Sequence, residues 1–255
     1  QHTRFAGAAD TFLAAEGHVG LDGQQALVQG SVGCDLEGFA AAAQLHAVAL
    51  QGIVGGLDLV VSQLDRALES VSYQDVELAT MVVADDDRID GRYLEVHQSL
   101  ITLLATQSPV ATDLRLLITT LHMASDLERM GDLALHVAKV ARMRFPDIAV
   151  PVELRDVISQ MGKVAGSLVD KVAEVIKGRD VELAKAIEAE DDSMDALHRK
   201  LFTVLLSDNW AHGTEAAIDM ALLGRYYERY ADHAVSVTRR VVTVVTGAPY
   251  VGVSL

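Results

Sequence analysis

Four pairs of acids are spaced so that they could do chemistry together. They are Asp86 and Asp90, Glu128 and Asp132, Asp191 and Asp195, and Glu228 and Asp232, each pair separated by three residues. On a helix, residues four apart share one face, a turn apart. Two carboxylates placed there repel, so each pair weakens its helix slightly. If two helices of a bundle turn such faces together, four carboxylates converge, and they cannot all stay ionised without compensation. A bound cation resolves the conflict, and an all-oxygen set suits hard ions such as Mg, Mn or iron. A single pair at this spacing is ordinarily a solvated helix face. Four pairs at matching places fit either a cation site or a surface retained by descent from one duplicated module. His136, one turn beyond Asp132, is a fifth ligand, a donor to a ligand, or a packed residue, and Ser236 holds the corresponding place in the second half. Arg129 and Arg229 follow the glutamates and are expected to pair with neighbouring acids.

Long helices must position these groups. Leu45, Val48, Ala49, Gly52, Ile53, Leu57, Val60, Val61, Leu64 and Leu68 recur at three and four residues, the period of a helix with one apolar face. Ser72-Tyr73-Gln74 breaks the pattern, and Asp75 is placed to cap a second helix over 76–106. Ser108-Pro109 ends that helix. A third over 111–144 stops before Pro146. After Pro151 the pattern restarts with a helix over 152–176. Gly178-Arg179-Asp180 then supplies a C-cap followed by an N-cap. Helices over 181–207 and 213–245 complete the chain.

The two halves are related. Asp75-Val-Glu-Leu-Ala79 recurs as Asp180-Val-Glu-Leu-Ala184 at an offset of 105, which also carries Asp86 and Asp90 onto Asp191 and Asp195. Glu128-Arg-Met-Gly-Asp132 matches Glu228-Arg-Tyr-Ala-Asp232 at an offset of 100. The difference falls in a turn, where length changes are cheap. The expected architecture is all-α: two tandem, sequence-related three-helix bundles of long antiparallel helices. Residues 1–36 are read as an irregular extension rich in glycine, 37–146 as the first bundle, 147–247 as the second and 248–255 as a tail.

Composition narrows the function. The chain has 255 residues, with 36 acidic against 21 basic and a formal charge of −15. That excludes a nucleic-acid grip, which needs Lys/Arg density to displace counterions. The single cysteine permits no disulfide framework or thiolate zinc site and fits a reducing cytosol. The uncharged stretch 38–57 has the length of a membrane helix, but its Ala, Gly, Gln44, His46 and Gln51 suit a buried helix of a soluble bundle better. No secretory signal pattern precedes it. A P-loop is absent from the sequence.

Several motifs resemble the PhoU family of bacterial phosphate-signalling regulators. They are Ser108-Pro-Val-Ala-Thr-Asp-Leu-Arg115, Ser125-Asp-Leu-Glu-Arg-Met-Gly-Asp132 and Tyr227-Glu-Arg-Tyr-Ala-Asp-His233, closing on Val245-Thr-Gly247. The resemblance spans roughly residues 37–247, in order and in both repeats, while residues before Glu37 do not follow the family pattern. It implies two similar three-helix bundles and no enzymatic activity. It implies multinuclear metal clusters held by Asp86, Asp90, Glu128, Asp132, Asp191, Asp195, Glu228 and Asp232, with Mg, Mn, Fe or Zn as candidate ions. Asp113 and Arg115 fall on its proline-containing loop motif, with the structural role of fixing a helix start. It further implies a cytoplasmic adaptor, homodimeric, between the ATPase subunit of the phosphate ABC transporter and a phosphate sensor histidine kinase. Such an adaptor represses the phosphate-starvation response and meets the membrane only through partners.

Two other classes compete. A ferritin-like di-metal carboxylate protein needs Glu-x-x-His pairs, and the sequence contains none. A histidine phosphotransfer module would use His136 in His136-Val-Ala-Lys139, a short motif beside the acidic cluster.

Overall fold

The computed structural model describes residues 35–247. The expected tail 248–255 lies outside the described residues. So does the expected leading segment, except for Asp35 and Leu36, which already begin the first helix. Seven α-helices are described: α1 Asp35–Tyr73, α2 Val76–Ala84, α3 Asp86–Gln107, α4 Ala111–Arg144, α5 Arg155–Gly178, α6 Val181–Leu205 and α7 Gly213–Thr246. No strand occurs among the described residues. Helices α1 to α4 form one bundle, with α2 and α3 serving as a single bent arm, and α5 to α7 form the other.

Capping residues end and start the helices as their chemistry requires. The Asp75 carboxylate accepts the Leu78 amide at 2.8 Å. Asp180 accepts the amides of Glu182 and Leu183 at 2.9 and 3.0 Å. Ser108 and Arg179 take left-handed backbone conformations at the ends of α3 and α5. The helix expected over 76–106 is interrupted once, at Asp85. Its carboxylate pairs with Arg66 of α1 at 2.5 Å. The interruption puts Asp86 and Asp87 in the first turn of a new helix, where unsatisfied amides favour negative charge. The helix expected from 152 begins instead with a 3₁₀ turn, Val152–Leu154, and α5 proper starts at Arg155.

The apolar stripe read from the sequence is the core. Leu57, Leu64, Leu100, Leu117 and Met130 are fully buried in the first bundle, and Leu168, Ile187, Leu223 and Tyr227 in the second. Buried residues of both bundles form one continuous cluster. Each such side chain contributes roughly 1.5–3 kcal/mol from burial. The segment Ala47–Tyr73 of α1 is long and apolar enough to cross a membrane, with 59% of its most apolar window buried inside the fold. Its glycines have a packing reason: a Cβ at Gly52 would stand 2.9 Å from Val96 of α3, and one at Gly56 would stand 2.7 Å from Leu127 of α4.

The bundles meet mainly along α4 and α7, which run antiparallel. Arg115 lies against Gly247, Asp126 against Ser236, His136 against Tyr226 and Arg144 against Asp219. The offset of 100 relates Asp126 to Tyr226 and Ser236 to His136. The contact Asp126–Ser236 and the contact Tyr226–His136 are therefore one contact, seen from either half. The halves are related by an approximate two-fold rotation whose axis passes midway between those contacts, at the height of positions 131 and 231. Tyr230 of α7 adds a hydrogen bond from its hydroxyl to the Val60 carbonyl of α1 at 3.1 Å.

Candidate functional site

The acid-x-x-x-acid motifs do turn toward one another, two motifs and so four carboxylates in each bundle. Glu128 and Asp132 stand in the middle of α4, and Asp86 and Asp90 in the first turns of α3. Desolvation against the bundle pushes the Glu128 carboxyl up, and Asp132, Asp90 and Asp86 add to this while Arg129 opposes it. Desolvation likewise raises Asp86, with Asp90 and Asp132 adding to it; the Gln63 hydrogen bond and Lys139 act against the rise. In the second bundle burial, then the charges of Asp232 and Asp195, push Asp191 up to about 6, against Arg239. Asp232 is raised first by desolvation and then by Glu228. All eight carboxylates expected from spacing thus fall into two groups of four, and within each group the charges act on one another.

The groups carry their own cations. Arg129 reaches Glu128 at 3.4 Å and Asp132 at 2.9 Å. In the second bundle Arg225 bonds Glu228. The partner expected there was Arg229, which is exposed. Arg225 lies three residues ahead of Glu228, one turn away and within reach of it. As the side chains stand, no three His, Cys, Asp or Glu among the described residues surround one point closely enough to hold a metal ion. The donor set is nonetheless of one chemical kind, carboxylate oxygen, and burial with the neighbouring charges raises Asp86, Glu128, Asp191 and Asp232. That is the chemistry a hard cation needs.

His136 faces elsewhere. Its Nδ1 lies 2.6 Å from the Asp132 carbonyl, and its ring packs on Tyr226 with centroids 5.2 Å apart. It belongs to the seam between bundles, at the place Ser236 holds in the other half. Asp113 stands in the first turn of α4. Arg115 reaches instead to Gly247, where α7 ends with a left-handed backbone, φ 75°; a cation there complements the carbonyl end of the helix.

Sequence reasoning missed three features around these groups. The first is Asp126, buried in the seam and met by His233 at 3.1 Å, Ser236 at 3.1 Å and Arg240 at 2.7 Å. Burial acts to raise its carboxyl, but the hydrogen bonds from His233 and Arg240, with their charges, hold it below the usual range. The second is a pair of equivalent ion pairs. Arg66–Asp85 recurs as Lys171–Glu190, at the offset of 105 already seen in the capping motif. The repeat itself was the signal that could have found it. The third is Gln63, a buried amide of α1 that donates to Asp86 Oδ1 at 3.1 Å.

A duplicated three-helix bundle with a carboxylate quartet at equivalent places defines an all-helical tandem-repeat protein. The chain belongs to the PhoU family: the PhoU domain matches residues 56–141 and 158–241. It is 46% identical over 185 residues to the phosphate-specific transport system accessory protein PhoU homolog 2 of Mycobacterium tuberculosis, covering 72% of this chain and 87% of that protein. It is 31% identical over 212 residues to the PhoU homolog of Deinococcus radiodurans, covering 81% and 96%. Among solved structures it is similar to the phosphate transport system regulatory protein PhoU from Streptococcus pneumoniae, with a TM-score of 0.72 and 25% identity over 82% of this chain and 99% of that one. PhoU from Pseudomonas aeruginosa gives a TM-score of 0.69 and 26% identity, over 82% and 100%. Family membership gives the chain a role in regulating phosphate transport, as an accessory protein and not an enzyme.

Proposed function

We propose that the chain is a cytoplasmic adaptor that reports phosphate sufficiency. It connects the ATPase subunit of a phosphate ABC transporter with a phosphate sensor histidine kinase and so represses the phosphate-starvation response. It works as a homodimer and reaches the membrane only through these partners. Its two carboxylate groups hold divalent or trivalent cations, with Mg, Mn, Fe and Zn as candidates. A cation held by α3 and α4, or by α6 and α7, ties together helices that otherwise repel. It would take the place of the contacts that Arg129 and Arg225 now make. The bundle geometry that partners read is then set by cation occupancy.

The observation that carries this reading is the grouping of four carboxylates at equivalent places in both bundles, their charges acting on one another within each group. Elemental analysis of purified protein tests the cation. Wild type is expected to retain metal that Glu128→Ala/Asp132→Ala/Glu228→Ala/Asp232→Ala loses, and equal metal content in the two sinks the cation reading. Co-purification of the kinase and the transporter ATPase from phosphate-replete cells tests the adaptor. Recovery of neither partner would overturn it.

A further inference from the structure

The two carboxylate groups differ beneath their surface. Under the first lies Gln63, 1% exposed, whose Nε2 donates to Asp86. Its Oε1 is buried with no hydrogen-bond partner. That oxygen rests beside Gly131, inside the Glu128-to-Asp132 motif, where a Cβ would come within 3.3 Å of it and 3.0 Å of Ile89. The offsets that align the halves put Leu168 where Gln63 stands, Ala231 where Gly131 stands and Met194 where Ile89 stands. The alignment of α1 with α5 is fixed independently by the equivalent ion pairs Arg66–Asp85 and Lys171–Glu190. The second bundle thus has an apolar floor of Leu168, Met194 and Ala231, each buried. In the first, loss of one methyl at Gly131 makes room for an amide.

A buried amide with an unmet acceptor is costly unless something uses it. A carboxylate accepts only, so in the cation-free state the amide must offer Asp86 its N–H. We propose that Gln63 is a positioning residue that makes the first carboxylate group a different cation site from the second. Its N–H fixes the orientation of the Asp86 carboxylate, and its Oε1 supplies a neutral oxygen to the cation or its bound water. The second group, with Leu168 beneath it, has neither. The inference rests on the cation reading above and adds an inequivalence that reading does not require.

The test is titration of the full chain with Mn²⁺, with free Mn²⁺ counted by electron paramagnetic resonance. Two backgrounds isolate the sites. One removes the second group by Asp191→Asn/Asp195→Asn/Glu228→Gln/Asp232→Asn, and the other removes the first by Asp86→Asn/Asp90→Asn/Glu128→Gln/Asp132→Asn. Gln63→Met keeps length and removes both hydrogen-bonding atoms. Gln63→Leu copies the second bundle and serves as the alternative, with helicity checked by circular dichroism. Removal of a residue that supports a metal ligand costs about ten- to hundredfold in affinity. The expected result is a loss of that size at the first group and no change at the second. Unchanged affinity at the first group, or equal losses at both, overturns the assignment of Gln63 while leaving the cation reading intact. No Mn²⁺ binding by wild type overturns both.

Discussion

Asp126 and Arg240 stand 114 positions apart in the chain, yet the Arg240 Nε donates to Asp126 Oδ2 at 2.7 Å. The bond crosses the seam between the bundles, and His233 and Ser236 reach the same carboxylate. Removing a buried carboxylate strands the cations arranged around it. Asp126→Ala is expected to lower unfolding stability by about 2 kcal/mol in denaturant titration. A change within error of zero would show that the seam is held by apolar packing alone.

The same residue gives a pH dependence with a definite sign. Asp126 has a folded-state value below its unfolded one, because the hydrogen bonds and charges of His233 and Arg240 outweigh its burial. The unfolded chain therefore binds the proton first as pH falls. The stabilisation is complete above the unfolded value, near 3.8, and is lost as pH falls further through the folded value. Asp126→Asn should show a shallower loss of stability below about pH 4 than wild type. Parallel acid limbs in the two proteins would count against this.

Like charges within a group oppose folding until something compensates them. In metal-free protein at neutral pH, Asp191→Asn is expected to raise the melting temperature, since it relieves the burial and repulsion that push Asp191 up to about 6. The sign follows from linkage: the folded state holds its proton more tightly than the unfolded state, so the stability this provides is present at low pH and lost as pH rises toward 6. A lower melting temperature for the variant would mean that Asp191 makes a favourable contact that outweighs repulsion.

Two helix starts supply an internal control. Asp75 and Asp180 occupy equivalent positions and cap α2 and α6. Loss of an N-cap carboxylate typically costs about 1 kcal/mol. Asp75→Ala and Asp180→Ala should each cost about that, and the double variant should cost their sum, because the sites share no partner. Strong non-additivity in urea unfolding would show that the bundles are coupled through their helix starts.

A close approach on the other side of the seam can be tested by size. A Cβ at Gly162 of α5 would stand 2.5 Å from Leu68 Cδ2 of α1 and 2.9 Å from Cδ1. Replacing a helical glycine by alanine ordinarily gains about 1 kcal/mol, but overpacking costs about 1–3 kcal/mol. Gly162→Ala is expected to be destabilising on balance, by about 1 kcal/mol. A stabilised variant would show that Leu68 swings aside freely.

Helices and their duplication were legible in the sequence because periodicity and caps act locally. The start of α4 at Ala111 and its end at Arg144 agree with the turn residues around them. The bend at Asp85 was not legible, since it depends on Arg66 from another helix. The eight carboxylates were legible through spacing, and their grouping through the repeat. His136 was not, because the face it occupies is decided by Tyr226, which sits 90 positions away in the chain and arrives only when α4 and α7 pack. Asp126 and Gln63 escaped for the same reason. One looks like an ordinary acid on a helix and the other like an ordinary surface amide, until a second helix buries each of them.

The antiparallel packing of α4 on α7 has a consequence for valency. Gly131 and Ala231 mark the height of the axis along α4 and α7, so each carboxylate group stands at nearly the same height along the seam, turned by half a rotation from its counterpart. A single polypeptide thus presents two rotated versions of one surface, as a symmetric pair of chains would. The versions have drifted apart at Gln63 and Leu168, which lets one molecule offer two sides that are alike in shape and different in chemistry.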